Sequence, residues 1–134
     1  MKSFITFVLC LFSLQLLACP NLTGTYKDED DNLISITQIN CEQTVWSDAD
    51  SSKTLLADNI ERVIQEEGKM KAFGKASFTT TDFVLDIRVD YGTPVPSNIP
   101  THFLTSYHID KFNNMIERAE SSQGLETIIY RRVK

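Results

Sequence analysis

Alternation of apolar and polar residues is the dominant pattern of this chain after its first eighteen residues. It is clearest from Phe83 to Tyr91, where every second side chain is apolar and Asp86, Arg88 and Asp90 lie between them. A period of two places one face of a strand in the core and the other in water. Turn-rich clusters separate one such run from the next. The pattern predicts an all-β fold built from short antiparallel strands.

The runs predict strands over residues 23–27, 33–39, 43–47, 70–79, 83–91, 102–110, 115–120 and 125–133. Consecutive strands joined by short turns are typical of an up-and-down meander. A meander of about eight strands closes readily into a barrel. We therefore expect an antiparallel up-and-down β-barrel of about eight strands.

The stretch from Thr54 to Glu67 has two interpretations. Leu56, Ile60 and Val63 have helical spacing, and good helix formers lie among them. Alternatively, two short strands flank a turn at residues 58–59. We favour strands, because the neighbouring segments are all strands of similar length.

The first eighteen residues have the composition of a secretory signal peptide. Lys2 precedes an almost uninterrupted apolar run that ends at Ala18, a small residue of the kind that signal peptidases require. The run is short for a membrane span. Residues 19–134 are then one domain, exported to the periplasm or secreted.

The domain is acidic. Without Lys2, the remaining 12 Lys and Arg face 18 Asp and Glu, a formal charge of −6. No cluster of basic residues is present apart from the pair Arg131 and Arg132. Nucleic acid and anionic lipid surfaces are therefore not expected partners.

Cys19 and Cys41 are the two cysteines that follow the signal segment, and two fates are open to them. A disulfide would close a loop of about twenty residues and would stabilise the fold by about 3 kcal/mol. Leu16-Leu17-Ala18-Cys19 also resembles a bacterial lipobox, in which Cys19 would be acylated and would anchor the protein to a membrane. The two fates exclude one another. We favour the disulfide and keep lipidation as the alternative.

Gly24-Thr25-Tyr26, at the start of the first strand, resembles the Gly-x-Trp motif of calycins, the group of lipocalins, fatty-acid-binding proteins and avidins. The Cys-x-x-Leu-Thr-Gly-Thr-Tyr opening is particularly similar to avidin-type proteins. The whole domain resembles small exported lipocalin-like proteins of bacteria. The resemblance implies a barrel closed at one end by Gly24, Tyr26 and a cation from the last strand, Arg131 or Arg132. It does not extend to biotin, because avidin-type sites use several tryptophans and this chain has only Trp46.

Small residues at alternate positions suggest where a ligand would lie. Ala72, Gly74 and Ala76 share one face of their strand, and on an inward face they would leave space in the barrel. The same small residues would also let a barrel taper. The apolar face of the next strand completes the candidate lining, which comprises Ala72, Gly74, Ala76, Phe83, Leu85 and Ile87.

Catalytic, metal and cofactor motifs are weak or absent in the sequence. Asp28-x-Asp30-x-Asn32 has the spacing of a calcium loop but lacks its glycine and its final glutamate, which favours a solvated turn. His102 and His108 would share a face about 20 Å apart, too far for one metal. Asn21-Leu22-Thr23 is a glycosylation sequon that is meaningful only in a eukaryotic secretory pathway. We expect no enzyme activity, no metal and no cofactor.

Two functions therefore remain at the level of the sequence. The first is a binding protein that holds a small apolar ligand inside the barrel. The second is an envelope protein that acts through its surface, with the proline-rich loop from Pro94 to Pro100 as the contact. Three prolines keep this loop out of any ladder of hydrogen bonds.

Overall fold

The computed structural model describes residues 19–133, so the predicted signal segment 1–18 lies outside the described residues. The chain forms ten antiparallel strands: β1 (Gly24–Lys27), β2 (Leu33–Ile39), β3 (Gln43–Ser47), β4 (Ser52–Leu56), β5 (Arg62–Glu67), β6 (Met70–Phe78), β7 (Phe83–Asp90), β8 (His102–Ile109), β9 (Met115–Ser121) and β10 (Gly124–Arg132). The all-β, up-and-down prediction is confirmed. The favoured interpretation of residues 54–67 as two strands is also confirmed, by β4 and β5, and with them the count is ten and not about eight.

All ten strands belong to one sheet, in the order β4-β3-β2-β1-β10-β9-β8-β7-β6-β5. The first and last strands are neighbours, and the two strands at the sheet edges are β4 and β5. These edge strands do not pair with each other, so hydrogen bonds do not close the sheet into a barrel. This corrects the prediction of a closed barrel. A backbone hydrogen bond of 2.8 Å, from Asn59 N–H to Ala76 O, joins the β4–β5 connection to β6.

The length of β1 determines how the two halves of the sheet join. It has only four residues and pairs with β10 at two positions, Tyr26 with Arg132 and Lys27 with Arg131. Asp28 then begins a tight turn, in which its carboxylate accepts the N–H groups of Asp30 and Asn32 at 2.9 Å each. The rest of β10 extends beyond the end of β1.

The inner face of the sheet carries the core. Leu22, Tyr26, Phe83 and Met115 are fully buried there, and Ile36 is nearly so. Strand register places their neighbours on the same face. For example, Phe83 lies opposite Tyr107 and Leu85 opposite Thr105. The period-two pattern of β7 therefore marks the inner face as expected from the sequence.

Candidate functional site

Tyr26 and Arg132 cover one end of the inner face of the sheet, which we call the plugged end. The Tyr26 hydroxyl donates to the carbonyl of Leu22 at 2.8 Å and accepts from Arg132 Nη2 at 2.9 Å. The guanidinium lies 5.1 Å from the centre of the Tyr26 ring. Burial raises the pKa of Tyr26, and the charge of Arg132 opposes that rise. Of the two arginines in the sequence motif, Arg132 makes these contacts, whereas Arg131 faces solvent.

A disulfide and one glutamine fix the segment that precedes β1. Cys19 and Cys41 are bonded, with their Cα atoms 5.9 Å apart. Gln38 Nε2 donates to the carbonyl of Pro20 at 2.8 Å, and Gln38 Oε1 accepts from Leu22 N–H at 2.9 Å. Leu22 is thereby held in the core. The disulfide implies an oxidising, extracytoplasmic environment.

Four aromatic side chains fill the centre of the inner face. The Trp46 ring lies 4.8 Å from that of Tyr107, and the Phe78 and Phe83 rings are 4.9 Å apart. Trp46 and Tyr107 also lie 6.2 Å each from Phe83. The space that the sequence assigned to a ligand between the sheet halves is thus largely occupied by these rings.

The six predicted lining residues do lie together on the inner face. Ile87 is half-buried, and the other five are buried, namely Ala72, Gly74, Ala76, Phe83 and Leu85. A Cβ atom at Gly74 would lie 3.0 Å from Ile64 Cδ1 and 3.3 Å from Leu85 Cδ1. The small residues of β6 therefore receive the Ile64 side chain of β5. This packing could not be predicted from the sequence, because it depends on how β5 pairs with β6.

A pocket of about 290 Å³ opens between the unpaired edge strands, and we call it the seam pocket. Gly74, Ala76 and Leu85 line it from the predicted set, together with Leu55 and Ile64. Three apolar residues at its entrance are unusually exposed, with relative accessibilities of 40% for Leu56, 56% for Ile60 and 49% for Val63. A cluster of solvent-exposed apolar side chains marks a surface at which binding of another molecule would be favourable.

Two cationic side chains also line the seam pocket, and their environments differ. Arg62 is bound by Asp58 through two hydrogen bonds, of 2.7 and 2.6 Å. This guanidinium holds the pKa of Asp58 at about 2. The side chain of Lys53 has no hydrogen bond or ion pair within residues 19–133. Its ammonium group is therefore the available positive charge at the pocket.

Glu117 is a carboxylate on the inner face of β9. It lies opposite Tyr107 and Ile128 in the strand register and accepts a hydrogen bond of 2.7 Å from the Tyr130 hydroxyl. Burial raises the pKa of Glu117, against the effect of that hydrogen bond. Burial also raises the pKa of Tyr107 and of Tyr130, and in both cases the charge of Glu117 adds to the effect. Nothing in the sequence distinguished Glu117 from the exposed acids around it.

A pH prediction follows from Glu117. Its carboxyl binds a proton more tightly in the folded than in the unfolded protein, so its ionisation costs stability as the pH rises above about 4.3. We expect Glu117→Gln to be more stable than wild type at pH 7 and to lose that advantage towards pH 3.5. Urea unfolding across this range measures the difference. Glu120→Gln, an exposed position on the same strand, is the control for the loss of one carboxylate from β9. A constant difference between Glu117→Gln and wild type at all pH values would contradict the prediction.

The histidines lie on the outer face of β8, each beside a different aspartate. His102 Nε2 is 2.6 Å from Asp86 Oδ1, and His108 Nδ1 is 3.7 Å from Asp82 Oδ1. No group of three metal-binding side chains occurs within residues 19–133. The carboxylate of Asp28 accepts hydrogen bonds within its own turn, and those from Asn32 lower the pKa of Asp28. Arg88 also faces outward, stacked 4.2 Å from the centre of the Phe73 ring.

The proline-rich loop is tied to its surroundings. The Tyr91 hydroxyl donates to the carbonyl of Pro100 at 3.0 Å, and Ile99 N–H donates to Pro96 O at 3.0 Å. Gln123 Nε2 also donates to the carbonyl of Asn98. These contacts place the loop at the end of the sheet opposite Tyr26, beside the β9–β10 turn.

No family model, curated protein or solved structure matches this chain. No helix within residues 19–133 is long and apolar enough to cross a membrane.

Proposed function

We propose that this is an exported, non-catalytic binding protein of calycin-like architecture that takes one alkyl chain of an anionic amphiphile into the seam pocket. The observation that carries the proposal is the clustering of Leu56, Ile60 and Val63 around a pocket with a buried apolar floor. Covering these side chains would remove apolar surface from water at about 25 cal/mol per Å². The calycin-like part rests on Gly24, Tyr26 and Arg132 at the plugged end.

The size and charge of the pocket define the ligand. A volume of about 290 Å³ is near the lower bound for small-molecule sites, which suits a single chain rather than a ring system. Lys53 supplies a cation without an acidic partner within residues 19–133, in a domain that is otherwise acidic. A carboxylate head group would complement that charge.

Laurate binding, measured by calorimetry below the micellar concentration, tests this proposal. Leu56→Gln should weaken laurate by roughly tenfold, since about 1.4 kcal/mol of apolar contact is lost. Leu104→Gln is the matched control, because Leu104 is 41% exposed against 40% for Leu56 and does not line the seam pocket. Lys53→Met should weaken laurate while leaving dodecanol unchanged. Absence of laurate binding, or an equal loss in both leucine variants, would overturn the proposal.

A further inference from the structure

The part of β10 beyond the end of β1 has a free edge. Pairing with β9 extends from Gly124 to Tyr130, whereas pairing with β1 is confined to Arg131 and Arg132. No backbone hydrogen bond joins residues 124–129 to any described element other than β9. About six residues of strand thus offer unpaired donors and acceptors.

Hydrogen-bond direction identifies which residues face this edge. Val133 N–H donates to Thr25 O at 2.8 Å, towards β1, whereas Arg132 N–H points to the β9 side, where it meets Asn114 Oδ1 at 3.3 Å. Backbone groups alternate between the two edges of an extended strand. The free edge therefore presents the N–H and C=O groups of Leu125, Thr127 and Ile129.

The edges of the sheet differ in the features that hinder strand addition, of which bulges and inward charges are common ones. β5 contains a bulge between Val63 and Gln65. β4 places Lys53 opposite Trp46, on the inner face. Residues 124–129 of β10 carry one inward charge of their own, Glu126, and no bulge interrupts their pairing with β9.

We propose that this edge pairs with the same edge of a second copy of the chain, antiparallel and centred on Thr127. In that register Leu125 lies opposite the second copy's Ile129, and the two Thr127 residues face each other. All three are residues whose backbone groups face the edge, so each pair exchanges two hydrogen bonds. The two-fold arrangement is self-complementary, as a symmetric dimer requires.

Side chains and charges support the same register. Leu125 and Ile129 are 54% and 48% exposed on the outer face, and pairing would bring two of each into one apolar cluster. Glu126 would lie opposite Ile128 of the second copy, so the two Glu126 side chains would be diagonal neighbours and not directly opposed. The new ladder would end at the Leu125 and Ile129 pairs, because Arg131 and Arg132 already pair with β1.

The interface would be small. Paired edges alone cover less than the roughly 1,200 Å² that stable complexes bury, so the dimer should be weak and concentration-dependent. Both copies are acidic, and salt should strengthen their association by screening the repulsion.

Sedimentation velocity from about 10 µM to about 1 mM, at low and moderate salt, tests the dimer. Wild type should shift from monomer towards dimer across this range. Thr127→Pro removes one edge-facing N–H and no bond to β9, and Thr127→Lys places two cations opposite each other. Both variants should dimerise at least tenfold more weakly, while Thr127→Val should dimerise as wild type does.

Circular dichroism identifies any variant that fails to fold, and Thr127→Lys then carries the test alone. A wild type that stays monomeric throughout the range would overturn the proposal. So would a dimer that neither Thr127→Pro nor Thr127→Lys weakens. Neither result bears on laurate binding, because Thr127 does not line the seam pocket.

Discussion

Replacing Cys41 by alanine is expected to lower the free energy of unfolding by about 3 kcal/mol. The disulfide joins residues 22 positions apart, and a loop of that length restricts the unfolded chain by about that amount. The native segment also depends on it, because Cys19 holds Pro20 and Leu22 within reach of Gln38. For a domain of this size the midpoint of thermal unfolding should fall by roughly 10–20 °C.

Reductant provides the control for the disulfide. Thermal melts of the wild type with and without dithiothreitol should differ by about as much as wild type and Cys41→Ala differ without it. The midpoint of thermal unfolding of Cys41→Ala should be the same with and without dithiothreitol. A wild type that melts at the same temperature in both conditions would contradict the expected role of the bond, and an added diacylglyceryl mass on Cys19 would replace the disulfide with lipidation.

Truncating Tyr26 is expected to have the second large effect. Tyr26 is fully buried, and its loss in Tyr26→Ala should cost about 3–5 kcal/mol through the cavity left behind. Tyr26→Phe keeps the ring but removes the hydroxyl that links Leu22 O to Arg132 Nη2, and should cost about 1–3 kcal/mol. Chemical denaturation measures both values.

A double-mutant cycle with Arg132→Met separates the ring from the hydroxyl. Arg132 contacts both the ring and the hydroxyl of Tyr26. The effects of the Tyr26 change and of Arg132→Met on the free energy of unfolding should therefore be non-additive by about 1 kcal/mol. Tyr91→Phe, which removes the single hydrogen bond to Pro100 near the opposite end, is the matched control and should be additive with Arg132→Met. Additivity of Tyr26 and Arg132 would mean that their contact stabilises nothing.

Local patterning explains why much of the fold could be predicted from the sequence. The period of two in β7 and the small residues of β6 are local properties, and both faces appear in the structure as the pattern indicates. The disulfide between Cys19 and Cys41 was the favoured of the two fates that the sequence left open for these cysteines. At residues 54–67 the pattern allowed a helix as well as two strands, because four to six residues are too few to separate a period of 2 from one of 3.6. The favoured strands are the ones that the structure contains.

The candidate site was harder to foresee because it depends on relations between distant residues. The seam pocket exists because β4 and β5 do not meet, and no local pattern reports that two edges stay apart. Only the pairing of β5 with β6 brings the Ile64 side chain over Gly74. Glu117 is one of many acids in the sequence, and its burial beside Tyr130 becomes evident only from the register of β8, β9 and β10.

Because β1 and β10 are neighbours in the sheet, their pairing constrains the order of the folding steps. Arg132 reaches Tyr26 across 106 residues of chain, so the plugged end cannot form until the last strand is present. Contacts of such long range slow folding. Every other strand pair joins consecutive strands, so these hairpins can form before β10 is present, and the pairing of β1 with β10 is the step that must come last.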